Sequence, residues 1–525
     1  MERREKMQLE DLKSKEQKIS EFYNWLFDKE TSLNKEVDLS LAPYYEDPCI
    51  YYPDCISELL DTKAFKRLGR ISQLSSVIYS NSNAYHNRLE HSKGVYNRKL
   101  EEFVYNFQDI SWRKSIENSN LKLYLLADLI KMLGHDIGHL PLSHSIESQI
   151  FKKRGVHEFV GKRIMTEDSE INLILSKINP DLPNVLKELY DKDVLNFKEH
   201  DESNYDVDRM DFLQRDTLYL GNPQFIPHQQ YKTIKTKKYG TIDVYPYTSL
   251  KPIEDFLHMR ANNYKNYYFS LSTLLYDNLY STFVDLLANS SNSCGDDLKH
   301  FLQNLQRSEI QDIDLDEYLK WDDIRFYDNV INVAQNHPDE VIRNLAMMSL
   351  PNMEAFLNLI YSHLNIRNST QYTSEDKSFL RKIKQIIKGD NNLSKNMRNS
   401  KFSSDNILIS DKNTNHDVQE NTLTLTFKSY NNKEPIYIKD ENGEIFELSE
   451  HPKRSYDWNK VETIIDVNYN YLPILRKKYN LSDELIKSRY KTLTEIITES
   501  SNKKVKVNMQ PLSVHNNIED EFLKF

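Results

Sequence analysis

Hydrophobic side chains recur with helical spacing along most of the chain up to about residue 365. The segment 121–133 is apolar around most of its circumference, which predicts a helix buried inside a bundle. Residues 56–74 show the same spacing, and Asp61 or Thr62 is placed to cap a helix there. Further helices are predicted over 1–30, 252–287 and 296–364. We therefore expect a mainly α-helical protein.

Two segments instead alternate polar and apolar residues, as β-hairpins do. Residues 231–247 alternate Thr, Ile, Val and Tyr around a break at Gly240, and residues 435–448 contain the turn signal Asn442-Gly443. The second hairpin lies in a C-terminal region that mixes predicted helices with polar connections. These elements are a basic helix over 379–388, two C-terminal helices, and Asn/Ser/Asp-rich connections over 369–377 and 403–421.

The chain is long enough for several structural units, since 525 residues exceed what one simple core holds. We predict an N-terminal helix and loop, a catalytic core with a helical extension, and a C-terminal α+β region with an oligomerisation or regulatory role. Their predicted bounds are 1–45, 46–365 and 366–525.

Composition narrows the class of protein. Only 11 glycines and 16 prolines occur, which favours helices, and a net charge of −10 argues against stable nucleic-acid binding. Three cysteines in so long a chain argue against a disulfide framework and for a reducing compartment. The chain shows no signal peptide and no run of 18 apolar residues, so we expect a cytoplasmic protein without a membrane contact.

The stretch from Leu133 to Glu147 concentrates three histidines, two carboxylates and two glycines in fifteen residues. His135 and Asp136 are adjacent, and a small ion can bridge such a pair if the main chain lies close, which Gly134 and Gly138 permit. We expect the pair to lie on the buried helix of 121–133. Two other His-Asp pairs have polar surroundings, so a pair alone does not define a site: His200-Asp201 and His416-Asp417.

Two further segments carry charged residues on one helical face. Arg88 and His91 lie three residues apart, which would present a cation and a neutral metal ligand to the same space. Between residues 206 and 216, Asp208, Asp211, Phe212 and Arg215 share a face, with Asp216 near its edge. Taken alone, each segment is more typical of a solvated, ion-paired surface.

Taken together, these pieces resemble the HD-domain superfamily. The segments 61–68, 86–92, 135–139 and 206–212 are most similar to the deoxynucleoside triphosphate (dNTP) triphosphohydrolases, which include bacterial dGTPases and the vertebrate enzyme with a sterile-alpha-motif domain. The resemblance covers roughly residues 50 to 275. It implies an HD-domain helical bundle, with the small hairpins and the C-terminal α+β region as additions.

The resemblance also implies roles for individual side chains. His91, His135, Asp136 and Asp208 would bind one divalent metal, and the donor set does not choose between Mn, Mg, Fe, Co and Zn. His157 with Glu147 would be the catalytic histidine and its orienting carboxylate, His144 would contact the phosphate under attack, and His139 would be a third histidine of the pocket. The implied substrate contacts are Arg88, Gln73, Leu74, Arg209, Phe212, Asp216, Arg260 and Tyr268.

The chain departs from the family pattern at four positions. Phe212 replaces a tyrosine, and Ser270 and Leu271 replace the histidine and lysine that grip the triphosphate. Gly69 replaces an arginine of the activating-nucleotide site in the vertebrate enzyme, whereas Asp61, its partner there, is retained. An activating nucleotide is therefore expected to differ from that of the relatives or to be absent.

The implied activity is hydrolysis of a dNTP to deoxynucleoside and inorganic triphosphate by a homo-oligomer, a tetramer or hexamer. Such an activity lowers dNTP pools, which serves nucleotide balance or antiviral and antiphage defence. Two alternatives stay open. One is another HD phosphohydrolase, acting on a nucleoside monophosphate, a cyclic nucleotide or an alarmone. The other is a nucleotide-sensing regulatory subunit with little turnover.

Overall fold

A computed structural model describes most of the chain between residues 54 and 350 and parts of the chain outside that region. The described residues are 54–79, 81–106, 121–151, 156–191, 205–223, 234–236, 242–268, 270–307, 309–350, 430 and 435–458, some of them by their backbone alone, together with the backbone of strands 34–37, 49–52, 363–372, 398–399, 406–412, 420–427 and 461–470.

Helices make up nearly all of the described part up to residue 350, as the sequence predicts. In chain order they are α1 Asp54–Leu60, α2 Lys63–Leu68, α3 Arg88–Asn106, α4 Leu121–Leu133, α5 His144–Phe151, α6 Val156–Glu167, α7 Ser169–Ile178, α8 Leu182–Asp191, α9 Val207–Tyr219, α10 Leu250–Asn263, α11 Leu271–Ala288, α12 Asp296–Arg307, α13 Leu315–Tyr318, α14 Asp323–Asn336 and α15 Glu340–Met348. Short 3-10 turns span Ser75–Tyr79, Tyr247–Ser249 and Ile310–Asp312, and a π-helical turn spans Tyr264–Tyr268.

The core lies where these helices pack around α4. Leu126, Leu129, Ile130 and Leu133 of that helix are fully buried, which confirms the predicted buried segment. Its apolar circumference requires neighbours on several sides, and α3 and α8 supply them. Thr62 caps α2, because its side chain accepts from the amide of Phe65, as the sequence predicts.

In the described part of the chain, the strands form three sheets. They are β1 Asn34–Val37, β2 Cys49–Tyr52, β3 Ile234–Thr236, β4 Ile242–Tyr245, β5 His363–Tyr372, β6 Arg398–Asn399, β7 Asn406–Lys412, β8 Glu420–Phe427, β9 Tyr437–Lys439, β10 Ile445–Glu447 and β11 Val461–Asn470. β1 pairs with β2, and the other two sheets have the orders β10-β9-β4-β3 and β5-β11-β8-β7-β6.

Both predicted hairpins are present. β3 and β4 pair antiparallel, and so do β9 and β10, whose turn contains Gly443 with a φ of 86°. The two hairpins join because β4 pairs in parallel with β9, with Val244 opposite Tyr437. A segment of the C-terminal region thereby becomes part of the same sheet as residues 234–245.

The C-terminal segment is also attached to α10. The buried carboxylate of Glu254 accepts hydrogen bonds from the amide and hydroxyl of Ser455, at 2.8 and 2.6 Å, and from the indole of Trp458 at 3.0 Å. Trp458 packs in one cluster with Ile253 and Leu257 of that helix. The helix that carries Arg260 is therefore held by residues almost 200 positions further along the chain.

Three sequence predictions differ from the structure. Strand β5 occupies the end of the predicted helix 296–364 and the start of the connection 369–377, and β7 and the first residues of β8 lie in the predicted connection 403–421. Pairing with neighbouring strands satisfies the backbone groups of these polar segments, which composition alone does not reveal. The helix predicted over 252–287 is interrupted between residues 264 and 270.

Some predictions fall outside the described residues. These are the helix over 1–30, the basic helix over 379–388 and the two C-terminal helices. The three predicted domain bounds stay predictions. No described helix combines the length and the apolar character that a membrane span needs.

Candidate active site

Four side chains from three parts of the chain meet at one point. His91 is in the first turn of α3, His135 and Asp136 follow α4, and Asp208 is in the first turn of α9. Nε2 of His91 lies 3.2 Å from Nε2 of His135 and 2.9 Å from Oδ1 of Asp208, and Nε2 of His135 lies 3.3 Å from the same oxygen. The carboxylate of Asp136 is 3.6 Å from His91 and 3.4 Å from His135. The predicted ligand set is thus brought together.

The outer nitrogen of each imidazole is already engaged. Nδ1 of His91 donates to Asp211 at 2.9 Å, and Nδ1 of His135 donates to the carbonyl of Met132 at 2.8 Å. Arg215 in turn donates two hydrogen bonds to Asp211, at 2.9 and 3.1 Å. These contacts fix the tautomer and the ring orientation, so both Nε2 lone pairs point into the site. The sequence placed Asp211 on the face of Asp208 but did not reveal that it orients His91.

The donor atoms have the spacing and the charge that suit a divalent cation. Metal–nitrogen and metal–oxygen bonds of about 2.0–2.2 Å place neighbouring ligand atoms roughly 3 Å apart, close to the separations seen here. Burial alone lowers the pKa of His135, yet Asp136 and Asp208 outweigh it and raise that pKa to about 10. The negative charge of the two carboxylates, one buried and one partly buried, would be balanced by a bound cation.

The His-Asp pair lies beyond the buried helix, which corrects the prediction that it sits on it. α4 ends at Leu133, and residues 134–138 form a turn. A Cβ on Gly138 would stand 2.0 Å from the carbonyl oxygen of His157 and 2.3 Å from the amide nitrogen of Gly161. The glycine therefore permits close packing of this turn on α6, rather than the approach of main chain to an ion that the sequence suggested.

Hydrogen bonds from two distant residues hold the same turn. Arg67 is fully buried and donates to the carbonyls of Ile137 and His139, at 3.3 and 2.5 Å. The hydroxyl of Tyr318 donates to the carbonyl of Gly138 at 2.5 Å. Three successive carbonyls of the turn are satisfied in this way. Neither residue was recognised from the sequence, because no local pattern connects residues 67 and 318 with residue 138.

Three histidines form a second cluster beside the metal ligands. The ring of His139 stacks on that of His157, with centroids 3.9 Å apart, and the ring of His144 lies 4.8 Å from His139. Nε2 of His139 is 3.3 Å from Oδ1 of Asp136, so this cluster contacts the metal ligands directly. The side chain of His144 is 62% exposed and faces the open side of the site.

Glu147 joins two of these histidines. Its carboxylate contacts Nδ1 of His157 at 2.9 Å and Nδ1 of His144 at 3.2 Å. Burial alone lowers the pKa of His157, but the charge of Glu147 outweighs it and raises that pKa. For His139, burial and the charge of Arg88 hold the pKa well below its usual range. The stacked pair therefore combines one imidazole that retains a proton with one that stays neutral.

Two arginines flank the metal ligands. Arg88 donates to Asp136 and, at 2.7 Å, to the hydroxyl of Ser143, and it helps to hold the pKa of Asp136 well below its usual range, against the raising effect of burial. Arg209 donates to Asp206, the residue that caps α9. Both guanidinium groups are thus positioned by carboxylates next to the site, as phosphate-binding arginines need to be.

The residues predicted to contact the sugar form a cluster of their own. The hydroxyl of Tyr268 donates to Asp216 at 2.5 Å, and the second oxygen of Asp216 contacts His86 at 2.7 Å. The Tyr268 ring packs against the cluster that contains Leu74 and lies 6.4 Å from that of Phe212. Within the described residues, the buried side-chain oxygen of Gln73 accepts no hydrogen bond.

Arg260 lies further back in this region. It is buried on α10, with its guanidinium 5.8 Å from the ring centroid of Tyr264. The same tyrosine ring lies 5.0 Å from that of Tyr268. Arg260 thus reaches the other predicted substrate contacts through Tyr264.

No protein-family model matches the chain. Among curated proteins, it is 35% identical over 191 residues to the Bacillus subtilis uncharacterized protein YwfO, which is 35% of this chain and 41% of that protein. It is 29% identical over 189 residues to a Dictyostelium discoideum protein named as a deoxynucleoside triphosphate triphosphohydrolase SAMHD1 homolog, which is 32% of this chain and 34% of that protein. The chain therefore spans less than half the length of these two relatives.

A solved structure shows the same fold. The crystal structure of a phosphohydrolase from Bacteroides thetaiotaomicron superposes with a TM-score of 0.57, at 19% sequence identity, and covers 83% of this chain and 100% of that protein. The mainly helical, HD-type fold expected from the sequence is thereby confirmed.

Proposed function

We infer that this chain is an HD-domain phosphohydrolase, the class that the relatives and the fold support, and we propose that it hydrolyses dNTPs to deoxynucleoside and inorganic triphosphate. One observation carries the proposal: a single carboxylate, Asp136, faces both the metal ligands and His139, which stacks on His157. A metal centre and a proton carrier are therefore adjacent, as phosphoester hydrolysis requires.

The metal ligands suit the electrophilic part of the reaction. A divalent ion bound there would polarise a phosphoryl oxygen or acidify a water molecule. Arg88 lies beside Asp136, and Arg209 is close enough to Asp208 for that charge to raise its pKa, so both guanidinium groups lie near the metal ligands, where they would bind phosphate oxygens. Charge that develops on the phosphoryl group would be neutralised by groups that are already oriented.

His157 suits donation of a proton to the leaving group. Cleavage at the sugar 5′-oxygen produces an alkoxide of high pKa, which leaves readily only if it is protonated. Glu147 raises the pKa of His157, so the imidazole keeps its proton to a higher pH than a free imidazole does. Contact with Nδ1 fixes the tautomer and leaves Nε2 as the donor.

Replacing Glu147 with Gln should shift the pH profile. The carboxylate favours the charged form of His157, so its removal lowers the pKa of that group. If protonated His157 is the acid, the alkaline limb of kcat then moves to lower pH, which steady-state rates between pH 5.5 and 9 will reveal. Glu167→Gln, which is exposed on the same helix and pairs with Arg163, is the control and should leave the limb in place. An unmoved limb in Glu147→Gln contradicts the acid role.

Deoxyribose selection is the part of the proposal that rests on Tyr268. Its ring packs against the cluster of Leu74, and its hydroxyl is tied to Asp216, so it cannot easily move aside for a larger sugar. The free acceptor of Gln73 is available to a sugar hydroxyl. A buried 2′-hydroxyl without a partner costs about 1–3 kcal/mol, or tenfold to a hundredfold in rate.

Two Tyr268 variants separate the ring from the hydroxyl. Tyr268→Ala should bring the ratio of kcat/KM for dATP over ATP, and for dGTP over GTP, towards one, because the ring no longer occupies the space of the 2′-hydroxyl. Tyr268→Phe should preserve most of the discrimination. Competition assays with paired dNTP and NTP substrates measure both ratios. Equal rates for the two sugars in the wild type would remove this part of the proposal.

Product identity tests the whole proposal. The protein is incubated with each of the canonical dNTPs and NTPs, singly and mixed, in Mg²⁺ or Mn²⁺, and products are resolved by ³¹P NMR and ion-exchange chromatography. Deoxynucleoside and intact triphosphate support it. Monophosphate and pyrophosphate refute the cleavage site, and nucleotide binding without turnover favours the sensor alternative.

Homo-oligomer formation and nucleotide activation stay predictions from the resemblance, to be measured by light scattering with and without nucleotide.

A further inference from the structure

Two consecutive residues before His144 have an unusual backbone. Leu142 and Ser143 have φ angles of 55° and 47°, in the left-handed region that non-glycine residues rarely adopt. Ser75, on the neighbouring loop, has a φ of 46°. Such conformations are unfavourable for residues other than glycine and persist only where surrounding contacts fix them. The contacts that fix Leu142 and Ser143 therefore determine where His144 begins α5.

Part of that support comes from the neighbouring loop, which also carries Gln73 and Leu74. The hydroxyl of Ser75 donates to the carbonyl of Leu142 at 2.7 Å. The hydroxyl of Ser143 donates to the carbonyl of Ser72 at 3.1 Å and accepts from Arg88 at 2.7 Å. The loop of Ser143 and His144, which is predicted to contact the phosphate, is therefore joined by hydrogen bonds to the loop of Gln73 and Leu74, which is predicted to contact the sugar.

Asp323 completes this junction from a distant helix. One carboxylate oxygen accepts from the amide of Leu142 at 2.8 Å, and the other accepts from the amide of Ser72 at 2.8 Å. The amide of Asp323 itself donates to the carbonyl of Arg70 at 3.1 Å. The side chain is buried, and its two oxygens address two different loops. Only an ionised carboxylate can accept from both amides with separate oxygens and no donor of its own.

We propose that Asp323 is a positioning residue for the phosphohydrolase reaction. Its carboxylate holds the loop of Ser143 and His144 against the loop of Gln73 and Leu74. This inference rests on the proposed function for its effect on rate, but the junction itself stands on the contacts alone. Neither the sequence pattern nor the resemblance drew attention to residue 323.

The surroundings of Asp323 make this carboxylate sensitive to pH. Burial raises its pKa to about 6, although the two loop amides and Arg67 act in the opposite direction, and Asp322 adds to the rise. Among the described residues, Arg70, which donates to Asp322, and Tyr327 on α14 also lie near it. When Asp323 is protonated, one of its oxygens becomes a hydroxyl, which donates and is a much weaker acceptor than a carboxylate oxygen, so the junction with one of the two loops is weakened.

Asp323→Asn tests the junction with almost no change in size. The amide offers one acceptor oxygen, so one of the two loop amides loses its partner. We expect about fivefold to tenfold faster hydrogen exchange in peptides covering 70–76 or 138–145, measured by mass spectrometry on the full chain. Asp328→Asn is the matched control, since it is the same substitution at an exposed position of the same helix, away from both loops. It should leave both peptides unchanged.

The rate of the variant shows whether the junction positions the site. A loop displaced by a fraction of an ångström should lower kcat by about 10- to 100-fold at pH 8. The ratio of wild-type to variant kcat should fall towards one as the pH drops to 5.5, because the wild-type carboxylate then becomes protonated. A purely structural role would give a ratio that does not depend on pH. The titrations of His157 and the other site groups are common to both proteins and cancel in the ratio.

Each outcome decides the proposal. Faster exchange at either loop together with a pH-dependent rate ratio supports it, and unchanged exchange at both loops or a constant rate ratio overturns it. If the variant does not fold, wild-type exchange at pH 5.5 and 7.5, corrected for intrinsic rates, makes the same comparison. If the wild type releases no triphosphate from any dNTP, the proposed substrate fails, while hydrogen exchange still tests the junction.

Discussion

Replacing His135 and Asp208 together with alanine is expected to abolish triphosphate release and to empty the metal site. The two residues supply two of the four donor atoms, and their partners His91 and Asp136 would remain as an incomplete pair. Losing a catalytic metal removes several kcal/mol of transition-state stabilisation, so kcat should fall by at least about 10³-fold. Metal content by plasma mass spectrometry and rates with a mixture of dNTPs measure both effects.

The chain provides its own control for this experiment. His416 and Asp417 form another adjacent His-Asp pair, and their double alanine variant should keep both the metal and the rate. Circular dichroism melting of each variant shows whether the fold is intact. If the His135 and Asp208 double variant retained wild-type metal content and activity, the metal would have to bind elsewhere.

The second large effect is expected from His157→Ala, which should lower kcat by about 10² to 10⁴-fold while nucleotide binding persists. This is the usual contribution of a positioned general acid or base. His157 is not among the four metal ligands; its ring stacks on that of His139, which in turn contacts Asp136. Metal content should therefore be unchanged, which distinguishes this variant from the one above. Single-turnover rates and equilibrium binding of a non-hydrolysable dNTP analogue provide the measurements.

Phe159→Ala is the matched control for His157→Ala. Phe159 lies on the same helix and is 59% exposed, so its truncation should leave kcat unaltered. A wild-type kcat in His157→Ala at every pH would assign the proton transfer to another group. Loss of nucleotide binding instead of kcat would indicate that His157 binds the substrate rather than protonating the leaving group.

Glu147 links this prediction to the pH dependence described above. The carboxylate contacts both His157 and His144, and its own pKa lies well below the usual range because the effect of these histidines outweighs that of burial. It is therefore ionised across the working pH range and stabilises the protonated form of His157. If the acid role is correct, His157→Ala and Glu147→Gln should affect the same limb of the profile, and the double variant should be no slower than His157→Ala alone.

The amino-acid sequence by itself determined the features that depend on short spacings. The apolar circumference of residues 121–133 predicted a buried helix, and Asn442-Gly443 predicted a tight turn between two strands. The three-residue spacing of Arg88 and His91 placed both side chains on one face of α3, where they meet Asp136. Helical and β periodicities are local properties, so a single sequence contains them.

Only the tertiary structure decided which distant groups support the site. Asp211 orients His91, Arg67 and Tyr318 hold the turn after the His-Asp pair, and Asp323 joins two loops from a helix about 180 residues beyond one of them. Each is a buried polar group that must find a partner, but the sequence does not say which of the many candidates it will be. That choice depends on how closely the backbones pack, as Gly138 against Gly161 shows, and close packing is a property of the folded chain rather than of any local pattern.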